Sequence, residues 1–473
     1  MLQLRVLDFR RPIRFILLMT YHGKKTKDTF FKMKVDTLIN ARWIIPIEPT
    51  NTVYENYSIA IKDDKIEGIL PSDDACNKFS AREEYNLEQH ALIPGLINAH
   101  THAAMTLLRG LANDLPLMEW LNEHIWPAEQ KWVNSKFVKD GTEIAVAEMI
   151  RGGTTCFNDM YFFPDQTAEV CANVGMRVVV GLILTDFPTS WANNPDEYLL
   201  KGEQVHDTYR HNPLVNTAFA PHAPYTVSDE PLKRINMLAE ELDIPIHMHI
   251  HETAFEVEQS IEHHGKRPLQ RLIDLGLISP RMLAVHMTQL EQAEIAKLAK
   301  FGVSVAHCPE SNLKLASGFC PAAQLHNAGI NVCIGTDGTA SNNDLDMFGE
   351  MRTAAIVAKG VAKDSTVLDA HTTLRMATLN SAKALGLNKS IGSLKKGKQA
   401  DIVAINLNQL ETAPLYEPLS QIIYAGNREQ VSDVWIAGNQ VLKKRELTTM
   451  EYSRLMEKAK NWEKKIKPRF EKP

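Results

Sequence analysis

Little in this chain points towards secretion, membranes or nucleic acid. Its six cysteines (Cys76, Cys156, Cys171, Cys308, Cys320 and Cys333) are scattered among 473 residues with no Cys-x-x-Cys pair. That spacing argues against a disulfide framework and a thiolate metal site, and fits reduced thiols in the cytoplasm. No apolar run approaches the roughly 20 residues needed to span a bilayer; the run at 15–19 is short even for the core of a signal peptide. Neither sign of charge dominates. Lys and Arg number 52 against 57 Asp and Glu, for a net charge of -5, which gives no electrostatic reason to expect nucleic acid or an anionic membrane as partner. Hydrophobic residues make up 44%, enough for a large core. The 17 histidines are more informative, because several fall in pairs at strand spacing.

Residues 1–33 read as an extension foreign to the fold, with Met33 a candidate natural start. From Val35, short alternating segments such as Ser58-Ile-Ala-Ile-Lys and Lys65-Ile-Glu-Gly-Ile-Leu predict a small β domain over 34–92. Its texture returns over 393–447, at Asp401-Ile-Val-Ala-Ile and Val434-Trp-Ile-Ala-Gly. Between these flanks, over 93–392, apolar strands alternate with amphipathic helical stretches, the signature of βαβ units. Eight strands are expected near 92–99, 154–159, 177–184, 215–220, 245–250, 282–286, 303–307 and 331–335. The fold class is therefore α/β: a TIM-type (β/α)8 barrel with a small β-sandwich domain built from the two flanks. Its active site is expected at the C-terminal ends of the strands. Ser228 is a candidate helix cap, Asn343 and Asp344 are expected to start the helix after strand eight, and Lys395-Lys-Gly-Lys reads as a solvated turn. Residues 448–473 read as a charged helix with a solvated face and no chemistry.

The first barrel strand ends in His100-Thr-His102, whose alternate side chains share one face and form half of a metal site. The fifth reads His247-Met-His249-Ile-His251-Glu252. Periodicity alone does not choose among its histidines. His247 would sit deeper as a satisfied core residue and His251 beyond the strand, so His249 is preferred as ligand, with Glu252 handling protons. Strand six ends at His286 and strand eight at Asp337, a carboxylate able both to touch a metal and to accept a proton. Each residue has a structural explanation alone; together, on one rim, they point to a metal site. Cys308 and Cys333 are read as packing residues, and Glu310 as a loop-shaping one.

From about Val35 to Leu447 the sequence resembles the amidohydrolase superfamily, and within it the 5'-methylthioadenosine/S-adenosylhomocysteine deaminases and their chlorohydrolase-like relatives. The resemblance rests on His100-Thr-His-Ala-Ala-Met-Thr-Leu-Leu-Arg-Gly, Trp120-Leu with Trp126-Pro-Ala-Glu129, Pro221-His222-Ala-Pro-Tyr225, His307-Cys-Pro-Glu-Ser-Asn-Leu-Lys-Leu and Gly335-Thr-Asp337-Gly-Thr-Ala-Ser-Asn-Asn. It implies His100, His102, His249 and Asp337 as metal ligands and Glu252 and His286 as the proton-handling pair. It also implies Glu129 on the ribose hydroxyls, His222 on the purine and Trp120 lining the pocket. With no lysine on strand four to be carboxylated, one divalent metal per subunit is expected: zinc, with iron, nickel or manganese as alternatives.

The implied activity is hydrolytic deamination of an adenine nucleoside (5'-methylthioadenosine, S-adenosylhomocysteine or adenosine) to its inosine analogue and ammonia. Asp337 would take a proton from a metal-activated water, Glu252 would protonate the ring nitrogen, and His286 would polarise the attacking oxygen. The alternatives are a free-base (guanine or cytosine) deaminase, a triazine-type amidohydrolase, and, in another class, a non-catalytic metal-binding barrel. The expected partner is a small nucleoside substrate. The assembly is open, a homodimer through barrel helices being common among such enzymes. The family members that accept S-adenosylhomocysteine use arginines after strand three, whereas here Gly181-Leu-Ile-Leu-Thr-Asp-Phe-Pro-Thr-Ser-Trp191 has none. Leu182, Phe187 and Trp191 are expected to suit a methylthio group instead.

Overall fold

Continuous apolar stretches such as Arg177-Val-Val-Val-Gly-Leu-Ile-Leu suit strands covered on both faces, and the structure uses them that way. The computed structural model describes residues 32–115 and 117–467; the expected extension lies outside these apart from Lys32 and Met33. Eight parallel strands form one sheet: β5 (Leu96–Thr101), β6 (Thr154–Tyr161), β7 (Arg177–Leu184), β8 (Val215–Pro221), β9 (Ile246–Ile250), β10 (Met282–His286), β11 (Ser304–His307) and β12 (Asn331–Ile334). They neighbour one another in sequence order. The ring closes where the Asp337 N–H donates to His100 O at 3.0 Å and Asn98 Nδ2 donates to Thr336 Oγ1 at 2.7 Å.

The flanks form the second sheet. Its strands are β1 (Met33–Ile44), β2 (Tyr54–Lys62), β3 (Lys65–Pro71), β4 (Phe79–Pro94), β13 (Ile402–Asn406), β14 (Val431–Ile436), β15 (Asn439–Lys443) and β16 (Glu446–Leu447). In hydrogen-bonding terms the expected sandwich is one continuous sheet, ordered β16-β15-β14-β13-β4-β1-β2-β3. Period-two alternation divides its side chains. Ala91, Ile93, Val403 and Ile405 join the barrel's core, while Leu92, Ile402, Ala404 and Trp435 join the sheet's own cluster.

The sequence reading differs from the structure at the seam. Residues 92–94 pair with β13, so the first barrel strand begins at Leu96. Gly95 makes the crossing possible, because a Cβ there would lie 1.9 Å from Thr155 Oγ1. The seam is tied by a buried bidentate pair, Arg177 Nε and Nη2 each donating to Asp401 at 3.0 Å.

Ser228 stands at the N-cap of the helix Asp229–Leu242 but its side chain caps nothing. The helix after β12 starts later than expected, at Met347, capped by Asp346 accepting from Phe348 N–H at 2.9 Å. The C-terminal helix Tyr452–Ile466 is only half solvated. Leu455, Trp462 and Ile466 are buried, and Trp462 Nε1 donates to Asp140 on the helix Ser135–Arg151 at 3.0 Å. Among the described residues no helix is long and apolar enough to cross a membrane.

Candidate metal centre and substrate cavity

Strand direction in a barrel decides which end carries chemistry, and here the expected residues gather at one rim. His100 lies near the end of β5 and His102 just beyond it; His249 lies in β9, and Asp337 follows β12. Their ligand atoms all lie within 4.8 Å of one another. His100 Nε2 is 3.2 Å from Asp337 Oδ1 and 3.1 Å from His249 Nε2, and His102 Nε2 is 3.2 Å from the same carboxylate oxygen. Three imidazole nitrogens and a carboxylate oxygen in this arrangement fit a divalent metal ion.

The rings converge because each is held from behind. His102 Nδ1 donates to Met160 O at 2.5 Å and His249 Nδ1 donates to His222 O at 2.8 Å. A carbonyl can only accept, so the proton sits on Nδ1 and the Nε2 lone pair faces the centre. His100 has a different support: its Nδ1 meets Nε2 of His247 at 2.9 Å. His247, expected to be a satisfied core residue, is fully buried, and its Nδ1 has no partner among the described residues. Asp337 is fixed through its other oxygen by Ser311 Oγ at 2.6 Å and Ser341 Oγ at 2.9 Å. Burial alone would raise the Asp337 carboxyl, but its close contacts with His100 and His102 outweigh it and hold it well below the ordinary range. Asp337 and His286 both adopt left-handed backbone (φ 65° and 74°), uncommon for such residues and concentrated at sites where aim matters.

Glu252 and His286 face each other across the cavity, Glu252 Oε2 lying 3.9 Å from His286 Nε2. Burial pushes the Glu252 carboxyl up; His286 opposes the shift and Asp337 adds to it. His286 Nδ1 donates to Asn312 Oδ1 at 2.8 Å, so only Nε2 is presented to the cavity.

The cavity holds about 750 Å³ and is lined by His102, Glu129, His222, His249, Glu252, His286 and Asp337 together with Trp120 and other apolar side chains. Glu129 accepts from Tyr161 Oη at 2.8 Å; burial raises its carboxyl to about 7, with that hydrogen bond and His102 opposing. His222 is pushed down to about 3 by burial and by His102 and His100, and is therefore a neutral imidazole at physiological pH. Among the described residues no lysine or arginine lines the cavity.

The apolar set expected after strand three is only partly right. Phe187 lines the cavity, with Pro188, Thr189 and Ser190. Leu182 points outwards against Gly202, and Trp191 packs on Phe163 with ring centroids 5.2 Å apart. Several contributors were missed: Asn312, Ser311 and Ser341, although they stand in the quoted motifs, and Tyr161, the last residue of β6. His251 locks its loop, its Nε2 accepting from Leu269 N–H at 3.0 Å. Cys308 and Cys333 are buried, and burial pushes both thiols up, Cys333 to about 12.

Residues 91–441 match the model of the amidohydrolase family. A 5-methylthioadenosine/S-adenosylhomocysteine deaminase of Teredinibacter turnerae is 50% identical over 432 residues, 91% of this chain and 98% of its own. That of Saccharophagus degradans is 50% identical over 435 residues, 92% of this chain and 98% of its own. An adenosine deaminase from Xanthomonas campestris, solved with bound zinc, superimposes with a TM-score of 0.92 at 54% identity, covering 92% of this chain and all of that one. The zinc complex of atrazine chlorohydrolase from Arthrobacter aurescens, at 23% identity and a TM-score of 0.83 over 90% of this chain and 99% of its own, shares the fold.

Proposed function

The chain belongs to the amidohydrolase family and is a hydrolytic deaminase, and from that premise we propose that it acts on an adenine nucleoside with an uncharged 5' end, 5'-methylthioadenosine or adenosine. The observation that carries this reading is a cavity with acid–base groups at its floor and no lysine or arginine in its described wall. The amino-acid carboxylate of S-adenosylhomocysteine would find no cation in that described wall.

We assign His100, His102, His249 and Asp337 to hold a single metal ion, zinc, on the strength of three imidazoles and one carboxylate. When bound, such an ion makes water acidic enough to serve as a nucleophile near neutral pH. Asp337 receives the proton lost by the attacking water, its carboxylate aimed by Ser311 and Ser341. Glu252, raised by burial and so able to carry a proton, gives it to ring nitrogen N1 as the oxygen adds to C6, which limits the negative charge on the ring. His286 offers Nε2 alone, because Nδ1 is committed to Asn312, and so holds or passes a proton at one defined atom towards the departing amine. Ammonia leaves and the ring keeps the oxygen, giving the inosine analogue. Glu129 accepts from the ribose hydroxyls, His222 meets the purine, and Trp120 forms part of the wall. The unpaired state of all six cysteines supports a reducing, cytoplasmic setting.

The test is ammonia release by zinc-loaded protein from 5'-methylthioadenosine, S-adenosylhomocysteine, adenosine, guanine and cytosine. Turnover of methylthioadenosine or adenosine, with S-adenosylhomocysteine much the poorer substrate, is expected. Preference for S-adenosylhomocysteine or for a free base would overturn the substrate assignment.

A further inference from the structure

The turn Lys395-Lys-Gly-Lys, which reads as solvated in sequence, borders a second cavity of about 580 Å³. This cavity sits at the N-terminal mouth of the barrel, opposite the metal ligands. Its Asn380 is bonded to Asn331 and Val332 at the start of β12, whereas Asp337 lies past that strand's other end. The flanking sheet closes the side, Ile66 exchanging backbone hydrogen bonds with Gly397 and Lys398.

Among the described residues six cations line this space, Arg375, Lys383, Lys389, Lys395, Lys396 and Lys398, against one carboxylate, Glu48. That concentration occurs in a chain whose net charge is -5. Two of the six are answered: Lys396 pairs with Glu67 at 2.8 Å, and the buried Lys398 bonds Ser393 Oγ at 2.6 Å with Glu48 3.4 Å away. The side chains of half-buried Arg375 and of the lysines at 383, 389 and 395 make no hydrogen bond or close ion pair among the described residues, although Lys395 attracts Glu48 at longer range. Like charges brought together in a concave space repel, and field lines focus there on any anion that enters.

We infer that this cavity binds a small phosphate-bearing anion of two or more charges. A guanidinium and several flexible ammonium groups around a concavity suit phosphate oxygens. Among the described residues the lining includes no aromatic ring on which a base could stack. Recognition is therefore of the phosphates, whether they come from an inorganic polyphosphate or a nucleotide. The inference does not depend on the reaction proposed for the opposite mouth.

Calorimetric titration of the full-length, metal-loaded protein at low ionic strength tests it, with inorganic phosphate, tripolyphosphate and ATP as probes. One saturable site is expected, with tripolyphosphate and ATP bound alike and inorganic phosphate more weakly. The exposed pair K389E/K395E should weaken tripolyphosphate by about tenfold or more, since two attractive charges become repulsive. The neutral pair K389Q/K395Q should fall between, which guards against a folding defect of the reversed pair. The inference fails if tripolyphosphate shows no saturable binding at roughly millimolar concentration. It also fails if binding is undiminished in K389E/K395E, which would place the anion at the metal centre. Binding of ATP without tripolyphosphate would show base recognition instead. A change of oligomeric state in the variant, with no polyphosphate bound, would mark the patch as a protein contact.

Discussion

The two mouths of the barrel handle charge in opposite ways. At the C-terminal mouth His100, His102, His249, His286 and Asp337 each have another residue behind them: Met160 O behind His102, His222 O behind His249, His247 behind His100, Asn312 behind His286, and two serines behind Asp337. At the N-terminal mouth four cations line a cavity and make no side-chain hydrogen bond or close ion pair among the described residues. The first arrangement fixes atoms for bond making; the second leaves uncommitted charges that suit an ion of variable shape. The same barrel can therefore host chemistry at one end and a purely electrostatic site at the other.

The comparison is broken most severely by removing a proton carrier from the backed mouth. Glu252→Gln should retain metal, measured by elemental analysis, while kcat falls by about 10²- to 10⁴-fold. Near-normal turnover in that variant would remove Glu252 from the chemistry. His247→Asn tests the backing itself. Metal affinity should drop by about 10- to 100-fold, read by competition with a chelator, and excess metal should restore activity. A metal affinity equal to that of the parent would reduce the His100–His247 contact to packing.

Phe187→Arg moves the character of one mouth into the other. A cation on the cavity wall should raise kcat/KM for S-adenosylhomocysteine relative to methylthioadenosine by about tenfold, the worth of one charge-assisted hydrogen bond. An unchanged ratio would show that the wall does not select the 5' end. The smallest effect concerns pH. Glu129, raised to about 7 by burial, is neutral below that value and a carboxylate above it. Only the carboxylate accepts from both ribose hydroxyls, so kcat/KM for the nucleoside should rise a few-fold as pH increases through about 7. Glu129→Gln should flatten that limb of the profile, and a limb that survived the change would belong to another group.

How far these features could be read in the sequence depends on distance along the chain. The cluster of His100, His102, His249 and Asp337 was legible because each stands at or just past a strand end, although alternation left three histidines of strand five open and only depth along the strand, with the family resemblance, singled out His249. The pocket wall was less so. Leu182 and Phe187 occupy the same short stretch, yet only the loop conformation after β7 turns Phe187 inwards, while β7 itself points Leu182 at Gly202. His247 looked like core because its partner, His100, lies on another strand. The cationic mouth was illegible for the same reason. Glu48, Arg375 with Lys383 and Lys389, and the 395–398 turn are three separate segments, and each alone is an ordinary solvated stretch. The C-terminal helix was different. Its buried Leu455, Trp462 and Ile466 recur at helical spacing, a signal present in the sequence but outweighed by its charge.

That helix also bears on how the protein is made. Trp462 and Ile466 complete the cluster that contains Met105, Trp120 and Tyr161, side chains bordering the substrate cavity. Translation delivers every candidate metal ligand, from His100 to Asp337, well before it delivers Trp462. A nascent chain can thus assemble its barrel as the ribosome proceeds, but the packing behind the cavity wall is completed only when Trp462 and Ile466 emerge, so the candidate metal centre is synthesised before the wall beside it is fully supported.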